Sequence, residues 1–107
     1  MRAGKVFFMD VFAGLIEETE DGFRFTYDEL YCTKPESQPI SLTMPLSDSP
    51  YFSKTMFPVF DGIIPEGWIL DIAEKNWKIR RNDRMGLLLE FCGDCIGAIS
   101  IQKEEET

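Results

Sequence analysis

Three sets of residues have types and spacing that suit chemistry or recognition, and they pull in different directions. Cys92-Gly93-Asp94-Cys95 has the C-x-x-C spacing of a thiol redox pair or of half a zinc site. Glu17-Glu18 and the run Glu104 to Glu106 place carboxylates side by side, as general acid–base work or cation binding would need. The segment Phe60-Asp61-Gly62-Ile63-Ile64-Pro65-Glu66-Gly67-Trp68 combines turn formers, a helix-opening proline and a large aromatic, a composition suited to gripping another protein.

The chemical readings weaken when the rest of the chain is considered. It contains no histidine, which removes the commonest general base, the usual metal ligand and every Ser-His-Asp or Cys-His nucleophile. Neither a GxGxxG nor a GxxxxGKS phosphate loop occurs, so no nucleotide cofactor is expected. A redox pair belongs at a helix start, where the dipole lowers the thiol pKa. Cys92 and Cys95 instead fall where a helix ends and a strand begins, and a zinc site would have only Cys32 and carboxylates to complete it. Two packed core thiols are the expectation, with a thiol oxidoreductase as the alternative from the enzyme class. The paired acids have no apolar pocket to raise a pKa and read as a solvated face. No catalytic, cofactor or metal residue is therefore assigned.

What remains is recognition. At about 100° per residue, Ile69, Leu70, Ile72, Ala73 and Trp77 form an apolar arc, while Asp71, Glu74, Lys75 and Lys78 lie opposite. Trp68 falls at the edge of that arc in the first helical turn, where a half-exposed tryptophan resembles an interface anchor. A Trp folded back over its own core is the competing expectation. Asp61, Pro65, Glu66, Gly67 and Trp68 are the candidate partner-interface residues.

The elements that must position this segment read as follows. Val6 to Ile16 is nearly continuous in apolar residues and predicts one strand covered on both faces, with Gly14 at a bulge or bend. Asp21-Gly22 predicts a tight hairpin turn, after which Phe23, Phe25 and Tyr27 alternate with Arg24 and Thr26 as a second strand. Thr33 to Gln38 reads as a turn, Ile40 to Met44 as a third strand ended by Pro45, and Ser47 to Thr55 as a loop. Helices are expected over Phe57 to Ile63, over Pro65 to Lys78, and after a cap at Asn82 or Asp83 with Gly93 as terminator. In the last, Met85, Leu88, Leu89 and Cys92 share a face. A final strand spans Ala98 to Gln102.

Strands, then helices, then a closing strand predict an α+β domain, a small mostly antiparallel sheet with about three helices packed against it. It occupies residues 1–102 of the 107, and residues 103–107 read as an acidic flexible tail. The 11 basic and 19 acidic residues give a net charge of −8, which disfavours direct nucleic-acid and anionic-membrane contacts and favours a basic protein partner. Asp10 interrupts the apolar run that follows Arg2 and Lys5, and no apolar stretch approaches membrane-spanning length, so a cytoplasmic protein is expected. Three cysteines fit a reducing compartment better than a disulfide framework.

Three motifs in order resemble the N-terminal subdomain of HipA-type Ser/Thr kinase toxins. They are Ser41-Leu42-Thr43-Met44-Pro45-Leu46, the Phe60 to Gly67 segment, and Gly93-Asp94-Cys95-Ile96-Gly97-Ala98. The resemblance spans nearly the whole chain and explains Cys92 and Cys95 as neighbours of a signature Gly-Asp pair. In HipA-like toxins this subdomain is fused to a kinase core. A separate copy looks like the HipS family of tripartite HipBST-type toxin–antitoxin systems. The resemblance implies an antitoxin that binds and neutralises a HipT-like Ser/Thr kinase toxin, within a larger complex that includes a HipB-like helix-turn-helix protein. The alternative it leaves open is a structural subunit that completes or stabilises the kinase while the HipB-like protein neutralises it.

Overall fold

The computed structural model describes residues 2–64, 73–80, 82–93 and 98–104. Among these, five strands form one antiparallel sheet in the order β4-β3-β2-β1-β5. Strands β1 (Ala3–Phe8), β2 (Val11–Thr19), β3 (Gly22–Tyr27) and β4 (Tyr51–Ser53) follow one another as a meander, and β5 (Ile99–Lys103) returns to the free side of β1. Among the described residues three α-helices accompany them, α1 (Glu29–Thr33), α2 (Pro58–Asp61) and α3 (Arg84–Phe91), with a π-helical turn over Ala73–Trp77. The α+β expectation is met, and no helix of the described residues is long and apolar enough to cross a membrane.

The apolar run expected as one strand is two. The chain reverses at Met9-Asp10, where φ is 50° and 66°, the paired positive values that a two-residue hairpin of the I′ type demands. Aspartate tolerates this conformation, but methionine carries no turn signature, so the reversal was hidden inside an uninterrupted hydrophobic pattern. Pairing passes from Val6↔Gly14 to Phe7↔Phe12, which leaves Ala13 as the extra residue, one position before the expected bulge. The next hairpin forms where expected, but its turn residues are Glu20 and Asp21, one position before the expected Asp21-Gly22 pair, and Gly22, at φ 148°, opens β3 opposite Thr19.

Between β3 and β4 the differences are larger. The Ile40–Met44 strand is absent. Those residues make a tight turn closed by a Ser41–Met44 bridge, with Ile40 and Met44 buried and Leu42 97% exposed. An alternating strand would have buried all three on one face. Helix α1 occupies the region before it, capped by Asp28, whose side chain accepts from the Tyr31 amide. The expected loop over 47–55 contains β4, a three-residue edge strand too short to show a period of two. At the end of the chain Lys103 belongs to β5 rather than to a tail, and the Glu104 amide donates to Ala3 O at 3.0 Å.

The core lies on one face of the sheet. Val6, Ile16, Phe25 and Ile101 from the strands meet Phe60 of α2 and Met85, Leu88 and Cys92 of the α3 region, all essentially without solvent contact. The predicted alternation of β3 holds: Phe25 and Tyr27 point inward, and Phe25 lies 5.5 Å from Phe60 between ring centroids. Helix α3 starts at the expected cap, Asp83, which accepts from the Gly86 amide at 3.1 Å.

Two substitutions test this packing. A Cβ on Gly14 would lie 2.2 Å from the Thr26 carbonyl oxygen of β3, so Gly14→Ala is expected to destabilise the fold by about 2 kcal/mol or more in chemical denaturation. Burial pushes the Tyr27 phenol up to about 12. Because the folded value exceeds the usual value near 10, Tyr27 contributes stability that is whole below about pH 10 and is lost as pH rises through about 12. Tyr27→Phe should lower stability at neutral pH by about 2 kcal/mol and remove that alkaline step.

Candidate partner-binding site

The candidate segment begins where α2 ends. Pro58 opens that helix at its first turn, as the sequence predicts, and Phe57, expected as its first residue, precedes it as cap. The helix closes with the Gly62 amide donating to Pro58 O at 2.9 Å, and the Ile63 and Ile64 amides continue to Phe60 O and Asp61 O. Asp61 sits at this end with its Oδ1 accepting from Arg84 Nε at 2.6 Å. Asp61 therefore ties α2 to the first residue of α3 across 23 positions of sequence.

Two more contacts hold the exit. The Ile64 side chain is buried, and Cys92 Sγ donates to Ile63 O at 3.5 Å. Cys92 has no solvent exposure and packs in the core, in keeping with the structural reading of that thiol. Cys95, the other half of the C-x-x-C spacing, lies outside the described residues. So do Pro65, Glu66, Gly67 and Trp68; of the five candidate interface residues, Asp61 is the one the structure describes. Within the expected 65–78 helix the described part is the π-helical turn over Ala73–Trp77, on which Glu74, Lys75 and Asn76 are exposed.

A second set of charges, which sequence reasoning did not find, braces the same corner. Arg2 Nη2 lies 2.7 Å from Glu18 Oε2 and 2.7 Å from Asp83 Oδ1, and its Nε and Nη1 add bonds of 3.1 Å to the other oxygens of the same two carboxylates. One guanidinium thus grips two carboxylates bidentately, joining the start of β1, the end of β2 and the cap of α3. Glu18 had read as solvated. Its partner is 16 positions away and Asp83 is 81 positions from Arg2, separations that no local pattern reveals. Glu17 is likewise paired, to Arg24 Nη2 at 3.0 Å directly across the β2–β3 register. Among the described residues, no group of three or more His, Cys, Asp or Glu side chains is gathered to hold a metal ion.

Hydrogen bonding to Arg2 holds the Glu18 and Asp83 carboxyls below their usual range, and the same bonds raise the Arg2 guanidinium. Burial opposes the carboxylate shifts but is outweighed.

A small antiparallel sheet with short helices on one face, α2 and α3 being joined by the Asp61–Arg84 contact, defines the architecture, and comparison with known proteins gives its membership. The chain belongs to the HipA N-terminal domain family, whose model matches residues 4–102. A Haemophilus influenzae protein, described as uncharacterized, is 36% identical over 106 residues, covering 99% of this chain and 96% of its own length. A solved structure, the N-terminal domain of HipA toxin, is similar with a TM-score of 0.71 and 32% sequence identity, covering 100% of this chain and 96% of that one.

The Arg2 cluster gives a direct test. Its carboxylates have depressed folded values, so it stabilises the protein above their ordinary range and is lost as pH falls through those lowered values. Thermal unfolding from pH 7 to pH 2 should show stability declining below about pH 4, and Arg2→Ala should flatten part of that decline. At pH 7 the variant should lose about 1 kcal/mol, less at high salt, as expected for a half-exposed cluster.

Proposed function

We propose that this chain is a non-catalytic antitoxin subunit that binds and neutralises a HipT-like Ser/Thr kinase toxin in the bacterial cytoplasm, in a complex with a HipB-like helix-turn-helix protein. The observation that carries the reading is the fixed exit of the Asp61–Trp68 segment within a domain of the HipA family: Asp61 on Arg84, Ile63 O on Cys92 and Ile64 in the core. A recognition segment launched from a rigid point loses less conformational entropy on binding than a free loop. Trp68 is the anchor in this reading. Inserted near the kinase's nucleotide cleft, it blocks ATP or holds the lobes apart, while Pro65, Glu66 and Gly67 set its direction and Asp61 holds their base. The net charge of −8 favours docking on a basic surface of the kinase.

A second reading has one observation in its favour. The similar solved domain is described as part of a toxin, which suits a subunit that completes the kinase while the HipB-like protein neutralises it. The two differ in sign. Co-expression of the kinase with this chain alone should restore growth if it is the antitoxin and should not if it is a scaffold.

In a purified assay, phosphorylation by the kinase is expected to fall as this chain is titrated in, and Trp68→Ala should shift the inhibition curve by at least about tenfold. Full inhibition by the variant at wild-type concentrations would remove Trp68 from the mechanism.

A further inference from the structure

All three tyrosines of the chain direct their hydroxyls at the backbone of one loop. Tyr31 donates to Gln38 O at 2.5 Å, Tyr51 to Pro45 O at 2.5 Å, and Tyr27 to Met44 O. The Tyr27 hydroxyl also accepts from the Ile40 amide at 3.1 Å, so a single oxygen clamps both flanks of the turn between Ile40 and Met44. The rings brace one another: Tyr27 stacks on Tyr31 with centroids 6.1 Å apart and meets Tyr51 edge-on at 6.4 Å.

The turn itself is closed by the Met44 amide on Ser41 O at 3.1 Å, and Ser41 Oγ accepts from the Thr43 amide at 3.3 Å. At its tip stands Leu42, 97% exposed, two positions from buried Ile40 on one side and buried Met44 on the other. Turns favour Pro, Asp, Asn, Ser or Gly at such positions, and leucine adds nothing to the geometry. A side chain that stabilises nothing within the fold, held on a loop fastened by three tyrosine hydroxyls, has the form of a preorganised anchor.

We propose that Leu42 is a second contact with the kinase, seating in a leucine-sized apolar pocket rimmed by basic groups; this inference rests on the reading given under Proposed function. Two observations select that occupant. The turn and the Asp61 segment rise from the same face of the sheet and share one aromatic path, Tyr27 to Phe25 at 4.8 Å and Phe25 to Phe60 at 5.5 Å, with Asp61 next in the chain. One partner set against the layer that covers that face meets both. Charge argues against a second copy of this chain: each copy carries −8, and residues 35–53 contain Glu36 and Asp48 with no Lys or Arg.

The test is calorimetric titration of a HipT-like kinase from the same bacterium with the wild-type chain, Leu42→Asp and Leu42→Met. Because Leu42 is exposed, all three should unfold at the same temperature. Leu42→Asp should weaken binding by at least about tenfold and Leu42→Met by no more than about twofold. Equal binding by wild type and Leu42→Asp overturns the Leu42 contact and leaves the antitoxin reading intact. Absence of binding by the wild-type chain overturns both. A concentration-dependent dimer of the chain alone that Leu42→Asp abolishes would assign the surface to a second copy and overturn the proposal.

Discussion

The inward stripe of β3 is the constraint on which the rest of the domain depends. Phe25 and Tyr27 stand on the same face of that strand, two residues apart, and each organises a different part of the chain. Phe25, fully buried, receives Phe60 and so fixes α2. Tyr27 gathers Tyr31, Tyr51 and the backbone around Leu42. Burial raises its phenol to about 12, so its hydroxyl stays both donor and acceptor well into alkaline pH. A register slip of one residue in β3 would turn both rings to the opposite face and release both segments.

Polar interactions then do what apolar burial cannot, which is to set direction. Half-exposed ion pairs such as Arg2 with Glu18 and Asp83, or Arg84 with Asp61, contribute little stability one by one. Their geometry matters more than their energy here. Asp83 and Arg84 are consecutive at the start of α3, and through them the helix is tied to β1 and β2 on one side and to α2 on the other. The segment that follows Asp61 thus departs from a corner fastened to four elements.

Much of this was legible in the sequence where the signal was local. The alternation of Phe23, Phe25 and Tyr27, Pro58 at a helix start, the Asp83 cap and the closing strand all have short-range causes, and the structure repeats them. The failures share a different cause. The Met9-Asp10 turn is imposed by sheet pairing against an apolar pattern, and the Ile40–Met44 turn is clamped by the Tyr27 hydroxyl from 13 and 17 positions away, with Tyr31 and Tyr51 fastening Gln38 and Pro45 on either side. The alternating pattern of Ile40, Leu42 and Met44 fits a strand equally well until those partners are known. For the site, Asp61 was singled out from its motif, but its partner Arg84 was not, and the exposure of Leu42 had no sequence signature at all.

The proposed function makes the layer built on Phe25 and Tyr27 a rigid support for two contacts with one partner, the turn at Leu42 and the segment that begins at Asp61. Hydrogen–deuterium exchange of the chain, free and bound to the kinase, tests this most directly. The account predicts new protection over residues 40–45 and 61–68 together, with the outer sheet face around Phe7, Phe12 and Leu15 unchanged. Protection confined to that outer face would contradict it.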